Sequence, residues 1–415
     1  MSETVPIEKL VHGGQGIGTL PDGRTVFVWN ALPGEVIIPR ITKQKKNYAQ
    51  AVAEKIISSA SERIKPRDEA FLSTSPWQIM DFSYENKQKQ LILTETLERE
   101  GVSYSPEIEW FSGNDPWHYR NKMEYSFYGD EDGLHLAFFQ RGTHRKQIVT
   151  GSSIARPEID TTAQAIVVEL ERAGVRASQL KTVIVRCSQA GNTVAALFVK
   201  DENFPEIHQL DGLCDGVAVY YSNPKSPASI ISKELYAFGD STLSDVIRGY
   251  ETQYDVNSFF QVNIAQFEKV LDVITNVMKP ATNKVDMYAG VGTMVHPLGM
   301  TKMVEVDEHN IVMAQKNVGG AADIVHASAE SALEHIPRGG CLVLDPPRAG
   351  MHKKVVAAVL EQLPQQIVYL SCNPITQARD VAQLQDAYRI THLSGHNFFP
   401  RTPHIESLAV LEKKS

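Results

Sequence analysis

Four short stretches of this 415-residue chain carry side chains whose types and spacing suit chemistry. The first, Ile367-Val368-Tyr369-Leu370-Ser371-Cys372-Asn373-Pro374, brings a β-branched apolar run to a cysteine and stops it at an Asn-Pro turn. A thiol at the carboxyl end of a buried strand stands at the edge where open α/β sheets bind ligands, which makes Cys372 a candidate nucleophile. Free cysteine is also among the most buried residue types, so the strand alone leaves an inert core thiol equally open. The second stretch, Asp286-Met287-Tyr288-Ala289-Gly290-Val291-Gly292, ends a strand in a glycine turn of the kind that lets backbone approach a nucleotide-like ligand. Val295 replaces the third glycine of GxGxxG, which disfavours a pyrophosphate and not a phosphate-free ligand. Asp307 follows at the end of the next strand, placed either to accept from ribose hydroxyls or to sit at a helix N-terminus. The third stretch, Asp345-Pro346-Pro347-Arg348, fixes a rigid loop at the same sheet edge and sets a cation at its end. The fourth, Pro403-His404-Ile405-Glu406, places a carboxylate before a final apolar strand, a candidate base beside Cys372.

These residues need a scaffold, and the strand–helix alternation after Asp255 supplies one. Successive βα units predict a doubly wound, Rossmann-like α/β domain over residues 256–415. Residues 1–60 show short β-branched runs between Gly-Gly, Pro-Asp-Gly and Pro-Gly turns, as an OB-like β-barrel does. Its basic run at 43–48 reads either as a grip on nucleic-acid backbone or as a solvated hairpin. Between them, residues 61–255 mix helical and strand patterns without parallel rhythm, a central α+β domain. Tyr119-Arg120-Asn121-Lys122 and the cations of 141–146 lie beside alternating aromatics there, a combination that stacks bases or simply fills a sheet core.

Composition narrows the class. No run of eighteen apolar residues is present, so no membrane span is expected, and the N-terminus lacks the regions of a secretory signal. Cys187, Cys214, Cys341 and Cys372 form no CxxC pair, which argues against disulfides or zinc and for a reducing cytoplasm. A net charge of −8 speaks against a non-specific nucleic-acid coat but allows a local basic face.

Together these stretches resemble the RNA uracil-5-methyltransferase family, which makes 5-methyluridine in ribosomal and transfer RNA. SFFQVN (258–263), DMYAGVG, LDPPRAG, LSCNPITQARD and HIESLAVL occur in family order at family-like distances. The barrel resembles the RNA-binding TRAM domain, and PWHYRNKMEYSF resembles the family's central RNA-binding domain. The resemblance implies S-adenosylmethionine as methyl donor, contacted by Gln261, Tyr288, Gly290, Thr293, Asp307 and Asp345. It implies Cys372 as nucleophile and Glu406 as the base that removes the carbon-5 proton. The chemistry is coherent: carbon 5 of uracil attacks a methyl sulfonium only after a thiolate has added to carbon 6. A base must then free the product, and the target must leave any stacked helix to reach the pocket.

Two departures from the family are visible. Many members hold an iron–sulfur cluster on four cysteines, whereas EAFLSTSPWQIM has Leu72 and Ser75 near the expected positions and IVTGSSIA has serines. Without thiolates no cluster is expected. Thr293 also stands where Asn is common. The leading expectation is a monomeric, cytoplasmic uridine methyltransferase acting on ribosomal RNA, the 23S species, since members specialised for transfer RNA often lack the barrel. The alternatives are transfer RNA as substrate, cytosine-5 methylation, and a non-catalytic RNA-binding protein. No Lys or His adjoins Cys372 and Arg379 is the nearest cation downstream, so thiolate formation must be helped through space.

Overall fold

The computed structural model describes residues 4–105, 107–143, 145–227 and 229–414; Met1–Glu3 of the N-terminal segment and His144 of the 141–146 run lie outside them. Strands β1 (Val5–Leu10), β2 (Gly16–Thr19), β3 (Thr25–Trp29), β4 (Val36–Gln44) and β5 (Tyr48–Ser58) close a barrel in the order β1-β2-β3-β5-β4. Their inward residues, among them Val5, Ile7, Val26, Val28 and Ala51, form a small core of their own. The exposed Lys45 and Lys46 sit at the β4–β5 turn.

A short helix α1 (Phe71–Thr74) leads to α2 (Phe82–Arg99), which begins where the Asp81 carboxylate accepts the amide hydrogens of Ser83 and Tyr84. Strand β6 (Glu109–Phe111) follows. The central sheet then contains β7 (Lys122–Asp130), β8 (Gly133–Phe139) and β9 (Lys146–Ile148). After helix α3 (Pro157–Arg172) it adds β10 (Leu180–Cys187), β11 (Thr193–Val199), β12 (Gly216–Tyr221) and β13 (Lys233–Gly239). The order is β13-β12-β11-β10-β7-β8-β9, and the β7–β8 hairpin turns at Glu131-Asp132 with Asp130 opposite Gly133. One pair, β11–β12, is parallel; the others are antiparallel. A separate ribbon of β14 (Thr242–Ile247) and β15 (Tyr250–Asp255) joins this unit to the last domain.

There α4 (Ile264–Val277), β16 (Lys284–Met287), α5 (Val295–Leu298), β17 (Lys302–Glu305), α6 (Glu308–Val318) and β18 (Asp323–His326) lead to β19 (Cys341–Leu344). Helix α7 (Lys353–Gln362), β20 (Gln366–Ser371), α8 (Pro374–Leu384), β21 (Tyr388–His396) and β22 (Glu406–Lys413) complete the chain. The sheet order is β18-β17-β16-β19-β20-β22-β21-β6, with β22 alone running against its neighbours. Connections from β16 go one way to β17 and those from β19 the other, so the topological switch point lies between β16 and β19. Strands β19 and β20 are buried at every position, as a sheet covered on both faces requires.

One stretch departs from the boundaries read in the sequence. Residues 82–111, placed there in the central domain, lie on the C-terminal one: β6 extends its sheet beside β21, and α2 packs against α8. Gly395 makes this possible, because a Cβ there would lie 2.3 Å from the Trp110 ring. A three-residue edge strand has no periodicity of its own to announce its partner.

Candidate active site

The carboxyl ends of β16, β19, β20 and the start of β22 meet at the switch point, and they bring most of the sequence candidates together. A narrow cleft is lined by Phe259, Gln261, Asp286, Tyr288, Gly290, Thr293 and Asp345, among others. Tyr288 and Gly290 both have left-handed backbone (φ 67° and 56°), so the chain turns sharply as it leaves β16. The Tyr288 conformation is costly for a residue with a Cβ and is held by the Tyr288 and Ala289 amides, which both donate to the Val304 carbonyl. Gln261 spans the cleft, its Nε2 donating to Asp345 Oδ2 at 3.4 Å. The loop carrying Gln261 is itself gripped by the central domain: Asn121 donates from N to Val262 O (3.1 Å) and from Nδ2 to Gln261 O (2.9 Å).

Asp307 is placed differently. It is exposed at the N-terminus of α6, where its Oδ1 accepts the Asn310 amide hydrogen, and it does not line the cleft. The acid turned toward the glycine turn is Glu305. Its two oxygens accept the amides of Gly290 (2.8 Å), Val306 (3.0 Å) and Asp307 (2.8 Å). Both arrangements follow from the strand ending at Glu305, two residues before the acid singled out by spacing.

Cys372 stands half-buried just beyond β20. Asn373 caps α8 and donates from Nδ2 to the Arg348 carbonyl at 2.8 Å, and Thr376 Oγ1 donates to the same oxygen at 3.2 Å. These bonds tie the Asp-Pro-Pro-Arg loop to the cysteine loop. Burial pushes the Cys372 thiol up to about 11, the Glu406 and Asp345 carboxylates push it further the same way, and Arg348 opposes them. Glu406, buried at the start of β22, is held well above the usual carboxylate range by burial and by Asp345, again with Arg348 opposing. Burial pushes Asp345 up to about 7. Arg348 also lies 3.4 Å from the ring of His404, which burial and then this guanidinium push down to about 3, so His404 is neutral. His396 is turned away: Ser394 bridges it to His392, and its ring stacks on Phe111.

Three contributors had no distinct role in the sequence reading. Arg348 is the cation that acts on both Cys372 and Glu406, and it reaches them across the loop that follows β19. Phe259 is 61% exposed at the cleft, an aromatic face open to solvent. Asp286 is buried with neither carboxylate oxygen hydrogen-bonded, and burial, Asp345 and Glu305 hold it well above its usual range. A D-x-Y-x-G-x-G string signals the turn; nothing in it signals that the aspartate lacks a partner.

A cleft holding an unpartnered carboxyl, a second raised carboxyl and an open aromatic suits a cationic, base-bearing ligand. S-adenosylmethionine, with an ammonium, a sulfonium and an adenine, fits that donor set. The residues named for an iron–sulfur cluster are engaged otherwise. Ser75 accepts from Gln78 Nε2 at 2.7 Å, and Asp68 accepts from Gln78, Ser152 and Ser153, so a polar network joins the two segments. Among the described residues no group of three His, Cys, Asp or Glu side chains could hold a metal ion.

Fold and cleft define a Rossmann-like methyltransferase, and comparison with known proteins narrows the class. Residues 332–414 match the tRNA (uracil-5-)-methyltransferase family and residues 3–53 match the TRAM domain. An RNA methyltransferase of Enterococcus faecalis is 27% identical, over 99% of this chain and 96% of its own length. One from Halalkalibacterium halodurans is 28% identical over 99% and 97%. A tRNA (uracil-54, C5)-methyltransferase of Pyrococcus abyssi, solved with S-adenosyl-L-homocysteine, superposes with a TM-score of 0.81 at 23% identity, over 98% of this chain and 99% of its own. The chain thus carries a domain of the tRNA (uracil-5-)-methyltransferase family and a TRAM domain, and relatives named as RNA methyltransferases match it along nearly its whole length.

Proposed function

We propose that this enzyme transfers a methyl group to carbon 5 of a uridine in RNA through a covalent bond between Cys372 and carbon 6. The observation that carries this reading is the convergence of Cys372, Glu406, Asp345 and Arg348 on one sheet edge beside the cleft. S-adenosylmethionine supplies an electrophilic methyl group; Gln261, Tyr288, Gly290, Thr293, Asp345 and Asp286 would hold it, with Asp307 at the margin. Arg348 favours the Cys372 thiolate, whose sulfur bonds to carbon 6 and drives the ring electrons toward carbon 5. Once carbon 5 is methylated, Glu406 takes its proton, the double bond re-forms and the thiolate leaves. Burial makes ionised Glu406 a stronger base than a solvated carboxylate, which suits a carbon acid.

The barrel and the central domain would grip an RNA whose target base is turned out of its stack. The barrel supports ribosomal RNA, the 23S species, as substrate, modified by a monomer in the cytoplasm. A second reading, transfer RNA, is favoured by the Pyrococcus enzyme, named for that substrate and aligned along nearly the whole chain, barrel included.

Purified enzyme, labelled donor and separated ribosomal and transfer RNA, followed by nucleoside mass spectrometry, test both readings. Label is expected in 5-methyluridine; label in 5-methylcytidine, or in neither, sinks the proposal. Glu406→Gln is expected to slow turnover about 10²- to 10⁴-fold. It should also accumulate a protein–RNA adduct that survives a denaturing gel. Cys372→Ala should give no adduct.

A further inference from the structure

An open pocket of about 340 Å³ lies between α1 and the β7–β8 hairpin, outside the cleft just described. Its walls include Ser73, Thr74, Arg120, Met123, Phe138 and Phe139. Phe139 is 53% exposed, with the Lys146 ammonium 5.0 Å from its ring centroid. Strand register puts Phe139 with Lys146 and Ile148 on the face of the sheet turned away from α3, while Phe127, Leu136 and Phe138 fill the other face against α3. The single carboxylate at the rim, Glu124, already accepts the Ser229 hydroxyl at 2.6 Å. Beyond α1, Arg141 donates from Nε to the Leu72 carbonyl (2.6 Å) and lays its guanidinium 4.1 Å over the barrel's Trp29.

The pocket is linked to the cleft through the backbone that follows Arg120. Arg120 precedes Asn121, the residue that grips Gln261 and Val262 by backbone and side chain. Arg120 and Arg141 also act, with Arg348, on His404. An aromatic face open to water, cations around it and one hydrogen-bonded carboxylate at the edge form a stacking platform with a phosphate-facing rim. Stacking needs a base with a free face, so the pocket would accept an unpaired base and refuse a paired one.

We propose that this pocket binds an unpaired nucleotide of the RNA flanking the target uridine, with its base on Phe139 and its phosphate toward Arg120. The proposal rests on RNA being the substrate and adds a second anchoring point for it. It explains how the strand would be held between barrel and cleft while the target base is turned out.

The test uses the full chain and a fluorescein-labelled oligouridylate of about twelve nucleotides, read by anisotropy, beside methyl transfer to RNA. Phe139→Ala is expected to weaken binding about 5- to 100-fold, the span of base–aromatic stacking. It should raise KM for RNA and leave kcat unchanged. Phe139→Trp should restore affinity, and Tyr128→Ala, on the same face outside the pocket, should bind as wild type. Arg120→Gln should reduce the slope of log affinity against log salt by about 0.7, as loss of one phosphate contact does on single strands. Wild-type affinity in Phe139→Ala, equal losses in Phe139→Ala and Tyr128→Ala, or no binding by the wild type would overturn the inference. If binding follows the expected pattern while the wild type makes no 5-methyluridine, the uracil reading falls and the pocket stands.

Discussion

Cys372 works against its own surroundings, since burial and two carboxyls all hold its proton on and Arg348 alone among its named neighbours pulls the other way. The side chain of Arg348 is exposed, yet its backbone carbonyl is pinned by Asn373 and Thr376, so the guanidinium leaves from a fixed point beside the thiol. Replacing it isolates its effect. In Arg348→Gln the pH at which Cys372 alkylates should move upward from the wild-type midpoint, read by iodoacetamide labelling and peptide mass spectrometry. An unchanged midpoint would mean that the guanidinium does not act on the thiol. Asp286 offers a second residue-scale case. Its carboxyl binds a proton more tightly in the folded chain than in the unfolded one. Below the ordinary aspartate range both states are protonated and nothing is lost; above it the unfolded chain ionises alone, and stability drops until the folded carboxyl ionises too. Asp286→Asn should therefore melt about 2–4 °C higher at pH 8, with the gain vanishing toward pH 4. The same variant should bind S-adenosylmethionine about 10- to 100-fold more weakly by calorimetry, if the orphan carboxyl serves a cation of the donor.

At the scale of elements, the segment 397–401 between β21 and β22 is anchored by α2. Glu85 accepts from Asn397 Nδ2 (3.0 Å) and the Arg401 amide (3.0 Å), and pairs with Lys89 at 2.9 Å, both side chains fully buried. Lys89 in turn donates to Asn397 Oδ1 (2.7 Å) and the Phe399 carbonyl (3.0 Å). Glu85→Ala leaves a buried cation without its partner and should cost about 3–5 kcal/mol in urea unfolding. The double variant Glu85→Met, Lys89→Met should recover most of that loss. These bonds show where sequence reading reaches its limit. The strand ending at Ser371, the Asp-Pro-Pro loop and the glycine turn were legible because each is a local pattern that itself marks a sheet edge. Glu85 and Lys89 are an ordinary i,i+4 pair in the sequence of α2, and only the docking of that helix shows them buried. Arg348 was legible as a residue but not as the cation facing Cys372, because a contact across two loops leaves no spacing to read. The Asp307 position was legible and its surroundings were not: where a strand stops decides whether an acid faces the ligand or caps the next helix.

In the whole molecule, the barrel is joined to the start of β22 by a shared apolar cluster. Leu10 and Leu32 of the barrel pack with Trp77, Ile79, Met80 and Ile92, and with Ile405, the residue immediately before Glu406. Trp77 donates from Nε1 to the Gly14 carbonyl at 3.0 Å, and the buried Glu35 carboxylate pairs with Arg63 at 2.5 Å. The barrel thus covers the back of β22 beside Glu406 as well as presenting Lys45 and Lys46 to solvent. If it were only an RNA grip, its removal would raise KM and leave kcat intact. The packing requires more, because removal of residues 1–58 strips Leu10 and Leu32 from Ile405 and exposes Trp77. Displacement of a catalytic group by about 1 Å can cost about 10²-fold. The truncated chain should therefore lose at least about tenfold in kcat at saturating RNA. Leu32→Ala should show the same trend with a stability loss of about 2–5 kcal/mol, whereas Lys45→Ala, Lys46→Ala should change KM alone. A truncated enzyme with wild-type kcat would show that Glu406 keeps its position without the barrel.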